Sequence, residues 1–230
     1  MIYLPEYPRT YHFYYKPNIQ KGDSIYSKEE CDIVFNSKNV VIEEKIDGAS
    51  AGVCYLNDNF IIRNRKNTLK KGFLGKTPAK LQFASIFNWA HDNKDKFKKL
   101  LTYGDYSVYG EWMIAVHGMK YTNLPDWFVA YDLYDYSKRE FINGQISIDI
   151  LNEVGFSTVP ILSNYVSSVD DLVKLTQCKS SFTDEKIEGI YIKVSDEKYI
   201  THRFKMIREG FIQGALWSHE KLTKNRLDKK

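Results

Sequence analysis

The chain has 230 residues, carries a formal net charge of +4, and is 43% hydrophobic and 27% charged, the proportions of a globular domain rather than a disordered or membrane-embedded chain. No apolar run approaches the roughly 18 residues of a membrane span, and residues 1–8 lack the charged-then-apolar order of a secretory signal. Cys31, Cys54 and Cys178 stand in no metal-ligand spacing, which argues against zinc and for reduced thiols in an intracellular protein, whether cytoplasmic or a viral product in a host cytoplasm.

Residues 1–38 are rich in Tyr and Pro without a sustained period, and read as an aromatic-rich segment packed on the domain that follows. Residues 40–46 form the first expected strand, with Asp47-Gly48 as a turn signal. A second strand over 51–56 turns through Asn57-Asp58-Asn59 into a third over 60–63. Together they suggest an antiparallel meander with Lys45 near one end. Thr77-Pro78 has the order of a helix start, and Leu81, Ala84, Phe87 and Ala90 recur near helical spacing, so one amphipathic helix is expected over about 78–100. Strands return at 107–112 and 127–134. A helix over 146–154 closes at Gly155, Ser168 caps another through Thr176, and 186–194 with 199–206 read as a closing hairpin. Residues 218–230 read as a mobile basic tail. The order of elements implies a single α+β domain with mainly antiparallel sheets flanked by helices.

Chemistry gathers around Lys45-Ile46-Asp47-Gly48. A lysine amine is a nucleophile only when desolvation or a neighbouring cation strips its proton, and a glycine close by lets the backbone approach a ligand. Alone, this tetrapeptide reads equally well as a hairpin turn beside an exposed lysine. Downstream follow Arg63 and Arg65, then Tyr109-Gly110-Glu111, then Phe128 to Asp132, then Glu188-Gly189-Ile190-Tyr191-Ile192-Lys193, and finally Arg203-Phe204-Lys205. This set supplies a nucleophile, phosphate-binding cations, carboxylates for ribose and metal, and an aromatic for a purine. A nucleotidyl-transfer site needs those parts.

In order and spacing the set resembles the motifs of the covalent nucleotidyltransferases: ATP-dependent DNA ligases, RNA ligases and messenger-RNA capping enzymes. The stretch Tyr7 to His12, and the run from Gly110 through His117 to Pro125, resemble the RNA ligase branch in particular. The resemblance implies a ligase adenylation domain, an ATP-grasp-like nucleotidyltransferase fold. After Lys205 too little chain remains for an OB-fold, which speaks against a capping enzyme or a standard DNA ligase.

Carried over by position, the resemblance implies that Lys45 forms a lysyl-AMP phosphoramidate, with Asp47 and Gly48 completing its motif. Glu44 stands where the family's backbone meets adenine. Arg65 grips the nucleotide or a 5′-phosphate, with Arg63 the alternative. Glu111 accepts a ribose hydroxyl, Tyr131 stacks on adenine and Asp132 follows it. Glu188 orients the water shell of Mg²⁺ or Mn²⁺. Lys193, Arg203 and Lys205 belong to the nucleotide site, with Lys205 on the AMP phosphate. Arg203 departs from the lysine usual there.

ATP, a divalent cation and nucleic-acid ends are the implied ligands, with RNA preferred, a nicked duplex possible, and an accessory end-binding or end-healing protein a possible partner. A minimal DNA ligase and a non-catalytic nucleic-acid-binding relative are the alternatives. His117 reads first as a structural histidine. Lys66, Lys70, Lys71, Lys76 and Lys80 read as a solvated face or as a strip that tracks phosphates.

Overall fold

The computed structural model describes residues 4–15, 18–19, 22–72 and 76–228. Residues 1–3 of the aromatic segment and the last two of the basic tail lie outside that set. The elements in chain order begin with β1 (Tyr11–His12), α1 (Lys28–Cys31) and α2 (Ile33–Asn36). Three strands follow, β2 (Val40–Lys45), β3 (Ala49–Leu56) and β4 (Asn59–Asn64), and then three short helices, α3 (Pro78–Leu81), α4 (Ile86–Asp92) and α5 (Lys94–Leu100). Next come β5 (Tyr106–Trp112), β6 (Phe128–Asp135), β7 (Glu140–Phe141), α6 (Gly144–Val154), β8 (Ile161–Ser163) and α7 (Val169–Leu175). The hairpin β9 (Gly189–Ser195) and β10 (Ile200–Ile207) ends the series.

The strands form two open five-stranded sheets, β1-β10-β9-β2-β8 and β4-β3-β5-β6-β7. Pairing is antiparallel except where β1 runs parallel to β10. The fold is thus α+β, and neither sheet closes into a barrel among the described residues. Strand parity sorts the side chains. In β2, β9 and β10, Val40, Ile42, Ile190, Ile192, Val194, Phe204 and Met206 pack outward with α2 and α7. In the other sheet, Val53, Tyr55, Val108, Trp112 and Phe128 face outward onto α4, α5 and α6. A third cluster, including Ile46, Cys54, Tyr109, Val129 and Tyr131, fills the space between the sheets.

Local signals account for several elements. Asn57 and Asp58 both have positive φ, 47° and 60°, which suits the two-residue turn joining β3 to β4. Asn143 caps α6 through Gln145 N–H and Ile146 N–H, and Gly155 ends it at φ 94°.

Three expectations need correction. Strands β2 and β3 do not belong to one meander, because β2 lies between β9 and β8 with no edge left for β3, so Ile46–Asp47–Gly48 carries the chain from one sheet to the other. The helix expected over 78–100 is three helices. Asn93, at φ −100° and ψ 15°, ends α4 and begins α5, and its side chain donates to Trp89 O instead of continuing the helix. The tail, expected to be mobile, packs against the domain around Asn225. Asn225 is buried and bonds Tyr121 N, Met113 O and Ala115 O, while Lys224 and Leu227 bridge to Ala115 and Leu124.

No helix among the described residues is long and apolar enough to cross a membrane.

Candidate active site

A cleft of about 560 Å³ opens between the two sheets. Alternation along the strands aims Glu43 and Lys45 of β2, Glu111 of β5, Tyr131 of β6, Tyr191 of β9 and Lys205 of β10 into it, while their apolar neighbours pack outward. Glu188, just before β9, and Asp47 and Gly48, in the crossing segment, complete its centre. A Cβ on Gly48 would come within 2.5 Å of Met113 Sδ and 3.1 Å of Trp112 O, so the crossing is tight enough to require glycine.

Lys45 Nζ donates to Glu188 Oε1 at 2.7 Å, and the Glu188 side chain is 1% exposed. Burial works against the charge on Lys45, but Glu188, Asp47 and Glu111 outweigh it and hold the ammonium pKa above the ordinary lysine value. With these neighbours Lys45 is held as an ammonium, whereas the nucleophile expected from the sequence needs an amine stripped of its proton. Burial pushes Glu188 up to about 7 against the pull of Lys45, and Glu111 up to about 8. Glu111 Oε2 and Glu188 Oε2 are buried without a hydrogen-bond partner, so each offers a lone pair to a ligand. Asp47 is fixed by its neighbours: Tyr121 Oη accepts from Asp47 N–H at 2.8 Å, and Asp47 Oδ2 accepts from Gly118 N–H.

The Tyr131 ring is set by a 3.1 Å contact between its hydroxyl and Ser50 Oγ and by an edge contact with Tyr7, centroids 5.0 Å apart. Tyr7, Pro8, Thr10, Val159 and Tyr191 line the cleft beside it. Thr10 Oγ1 meets the Tyr191 hydroxyl, and Tyr7 donates to Asp132 Oδ2 at 2.6 Å. Glu44 borders the cleft, but its carboxylate turns away to accept from Ser180 Oγ and Ser181 N–H.

The two arginine alternatives separate. Arg65 lines the cleft. Arg63 is buried, donating to Leu4 O at 2.7 Å and Glu6 Oε1 at 3.1 Å, so it braces the N-terminal segment instead. Two further candidates also lie outside the cleft lining. Lys193 is fully buried and paired with Glu43 and Asp132, each at 2.7 Å. The Arg203 guanidinium lies 4.5 Å over the Phe141 ring and 5.5 Å over Tyr7, with Nη2 3.6 Å from Asp132 Oδ2. These cations form the floor beneath the site: a charge buried that deeply needs a counter-charge, and Glu43 and Asp132 supply it. His117 packs on Trp217 and sits 3.1 Å from Gln82 Oε1, one residue from the Gly118 N–H that holds Asp47. Lys66 lines the cleft beside Arg65, and Lys70, Lys71, Lys76 and Lys80 are exposed.

Sequence reasoning missed Ser50, Gln82 and Asp23, and it gave Tyr121 no part beyond membership of the run from Gly110 to Pro125. Ser50, Gln82 and Asp23 are common residues with no local pattern, and for all four only the position against Tyr131, His117, Lys205 or Asp47 shows what the side chain holds.

Comparison with known proteins places the chain. The family model for RNA ligase matches residues 38–207. This protein belongs to the RNA ligase family. Among solved structures it is similar to a Naegleria gruberi RNA ligase with PPi, at a TM-score of 0.57 and 20% identity over 78% of this chain and 52% of that one. A variant of that ligase with ATP and Mn is similar at a TM-score of 0.55 and 18% identity, over 90% of this chain and 61% of that one. A second variant with ATP and Mn has a TM-score of 0.55 and 19% identity over 76% and 52%. The chain spans about half the length of the first of these ligases, and likeness at such identity speaks to the fold. No curated protein sequence matches it.

Proposed function

We propose that the protein is an ATP-dependent RNA ligase that works through a lysyl-AMP intermediate on Lys45. The observation that carries this reading is Lys45 Nζ standing at the centre of the cleft, ringed by Glu188, Asp47 and Glu111, with Lys205, Arg65 and Tyr131 on the same walls. An amine, phosphate-binding cations and a stacking ring in one enclosure suit in-line transfer at phosphorus, where positioning and charge neutralisation dominate.

In the first step Lys45 Nζ gives up its ammonium proton to solvent, and the lone pair so freed attacks the α-phosphorus of ATP. The N–P bond forms as the bond to the bridging oxygen breaks, and pyrophosphate leaves. Tyr131 stacks on the adenine, Glu111 accepts a hydrogen bond from the ribose, and Lys205 and Arg65 hold phosphate oxygens. AMP then passes to the 5′-phosphate of a strand, and a 3′-hydroxyl displaces it to close the phosphodiester. Holding the strand ends falls to the Arg65 and Lys66 rim and to any accessory end-binding protein.

A divalent cation fits Glu188, whose Oε2 has no donor. Among the described residues no cluster of three or more acids, histidines or cysteines forms a cage, so the donor set suits an ion that keeps its waters, such as Mg²⁺ or Mn²⁺. Bound there, it would compete with Lys45 for the carboxylate and favour the free amine.

The test is incubation with ATP labelled at the α-phosphate, followed by a denaturing gel. Label on the protein that is lost in Lys45→Ala supports the reading; an unlabelled wild type defeats it. Sealing of nicks with ribo- or deoxyribonucleotide 3′ ends then separates RNA from DNA joining.

A further inference from the structure

Lys205 is held by a residue from the far end of the chain. Its Nζ lies 3.0 Å from Oδ1 of Asp23, and Asp23 Oδ2 lies 2.9 Å from His12 Nε2. Register explains the meeting. His12 of β1 sits opposite Lys205 of β10, while Tyr11 sits opposite Phe204 and shares its outward face. The chain then returns along β1, His12 N–H donating to Ser24 O at 2.8 Å and Tyr26 N–H to His12 O at 3.0 Å. That return carries Asp23 onto both side chains.

His12 is 0% exposed, and burial lowers its pKa against the opposing pull of Asp23. A neutral ring bonded to a carboxylate through Nε2 carries its proton there. Nδ1 is then the bare nitrogen, and it has no partner. The histidine therefore serves the carboxylate alone.

Lysine is a flexible chain with a compact charge, and it loses rotamer freedom when it binds a phosphate. An anchor that orders it beforehand removes part of that cost from the binding step. We propose that Asp23, oriented by His12, is the positioning residue for Lys205, holding its ammonium at the cleft wall where the nucleotide phosphate arrives. This role rests on the nucleotidyl-transfer reading above.

The experiment is a double-mutant cycle on the full chain, reading equilibrium binding of α,β-methylene-ATP with Mg²⁺, an analogue that cannot release pyrophosphate at the reacting bond. Asp23→Asn and Lys205→Met should each weaken binding about tenfold, about 1.4 kcal/mol. The double variant should bind no more weakly than Lys205→Met alone, and Asp23→Glu should recover most of the loss. Independent, additive losses would overturn the proposal, as would wild-type affinity in Asp23→Asn. General unfolding would not produce the expected non-additivity. If the wild type binds no nucleotide, the reading of the site falls and this role with it; if it binds and the losses add, only the role of Asp23 falls.

Discussion

Lys45 Nζ and Glu188 Oε1 lie 2.7 Å apart across 143 residues of sequence, and that pair governs the charge state of the cleft. Above about pH 7 it is an ammonium facing a carboxylate, with Asp47 adding negative charge nearby and Glu111 joining it only above about pH 8. With Glu111 Oε2 and Glu188 Oε2 buried and unpartnered, the site suits a ligand that brings a cation or donates hydrogen bonds, and burial strains its acids until one arrives.

That strain has a pH signature. Burial raises Glu188 to about 7 and Glu111 to about 8, above the ordinary carboxyl value of 4.5 that the unfolded chain shows. Between those limits the folded state binds more protons than the unfolded state, so stability falls as pH rises from about 4.5 to 8. Glu111→Gln should flatten this slope and raise the melting temperature at pH 8 by about 3–6 °C, for a gain on the order of 1–2 kcal/mol. Thermal melts of both proteins across the range check it; parallel curves would contradict the assignment.

Arg63 and Arg65 should fail in opposite ways. Arg63→Ala leaves Leu4 O and Glu6 without their donor and opens a buried space, so unfolding should become easier by about 2–3 kcal/mol. Arg65→Ala removes an exposed cation from the cleft wall, so melting should stay within about 0.5 kcal/mol of wild type while lysyl-AMP formation drops about tenfold or more. Urea titrations and labelling rates measured side by side decide this.

Lys193→Met should be a folding defect rather than a catalytic one. The substitution strands Glu43 and Asp132 in the interior, at a cost of about 3–5 kcal/mol. The urea midpoint should fall sharply, while protein that remains folded still acquires label from ATP. Loss of labelling at an unchanged midpoint would return Lys193 to the chemistry.

The end of the chain should matter for the site. Asn225 ties down Met113, Ala115 and Tyr121, and the Tyr121 hydroxyl accepts from Asp47 N–H. Asn225→Ala should cost about 1–3 kcal/mol from the unsatisfied groups it leaves and should slow labelling of Lys45 through Asp47. A truncation before Thr223 that leaves both properties intact would show the contact to be incidental.

Much of this was legible in the residues themselves. The motif order around Lys45 is written in the chain, and the Asn57-Asp58 turn and the Gly155 helix end depend only on local conformational preference. Strand alternation is equally local: Glu43, Lys45, Tyr191, Lys193, Arg203 and Lys205 all occupy odd positions between even ones that are apolar except Glu44 and His202, and the covalent backbone sends them to one face.

Depth on that face is a tertiary property. Register stacks Glu43, Tyr191 and Lys205 in one row, and Val41, Lys193 and Arg203 in the next. The first row meets the cleft. The second lies beneath it, so Lys193 became a buried counter-ion while Lys205, with the same chemistry and parity, faces the cleft. The crossing of Asp47-Gly48 between sheets, the placing of Arg65 on the cleft and of Arg63 in the interior, and the arrival of Asp23 at Lys205 were decided the same way. Sequence determined which face each side chain takes, because that follows from neighbouring bonds. Only the folded chain decided what it meets there, because the partners are set by pairings between strands far apart in sequence.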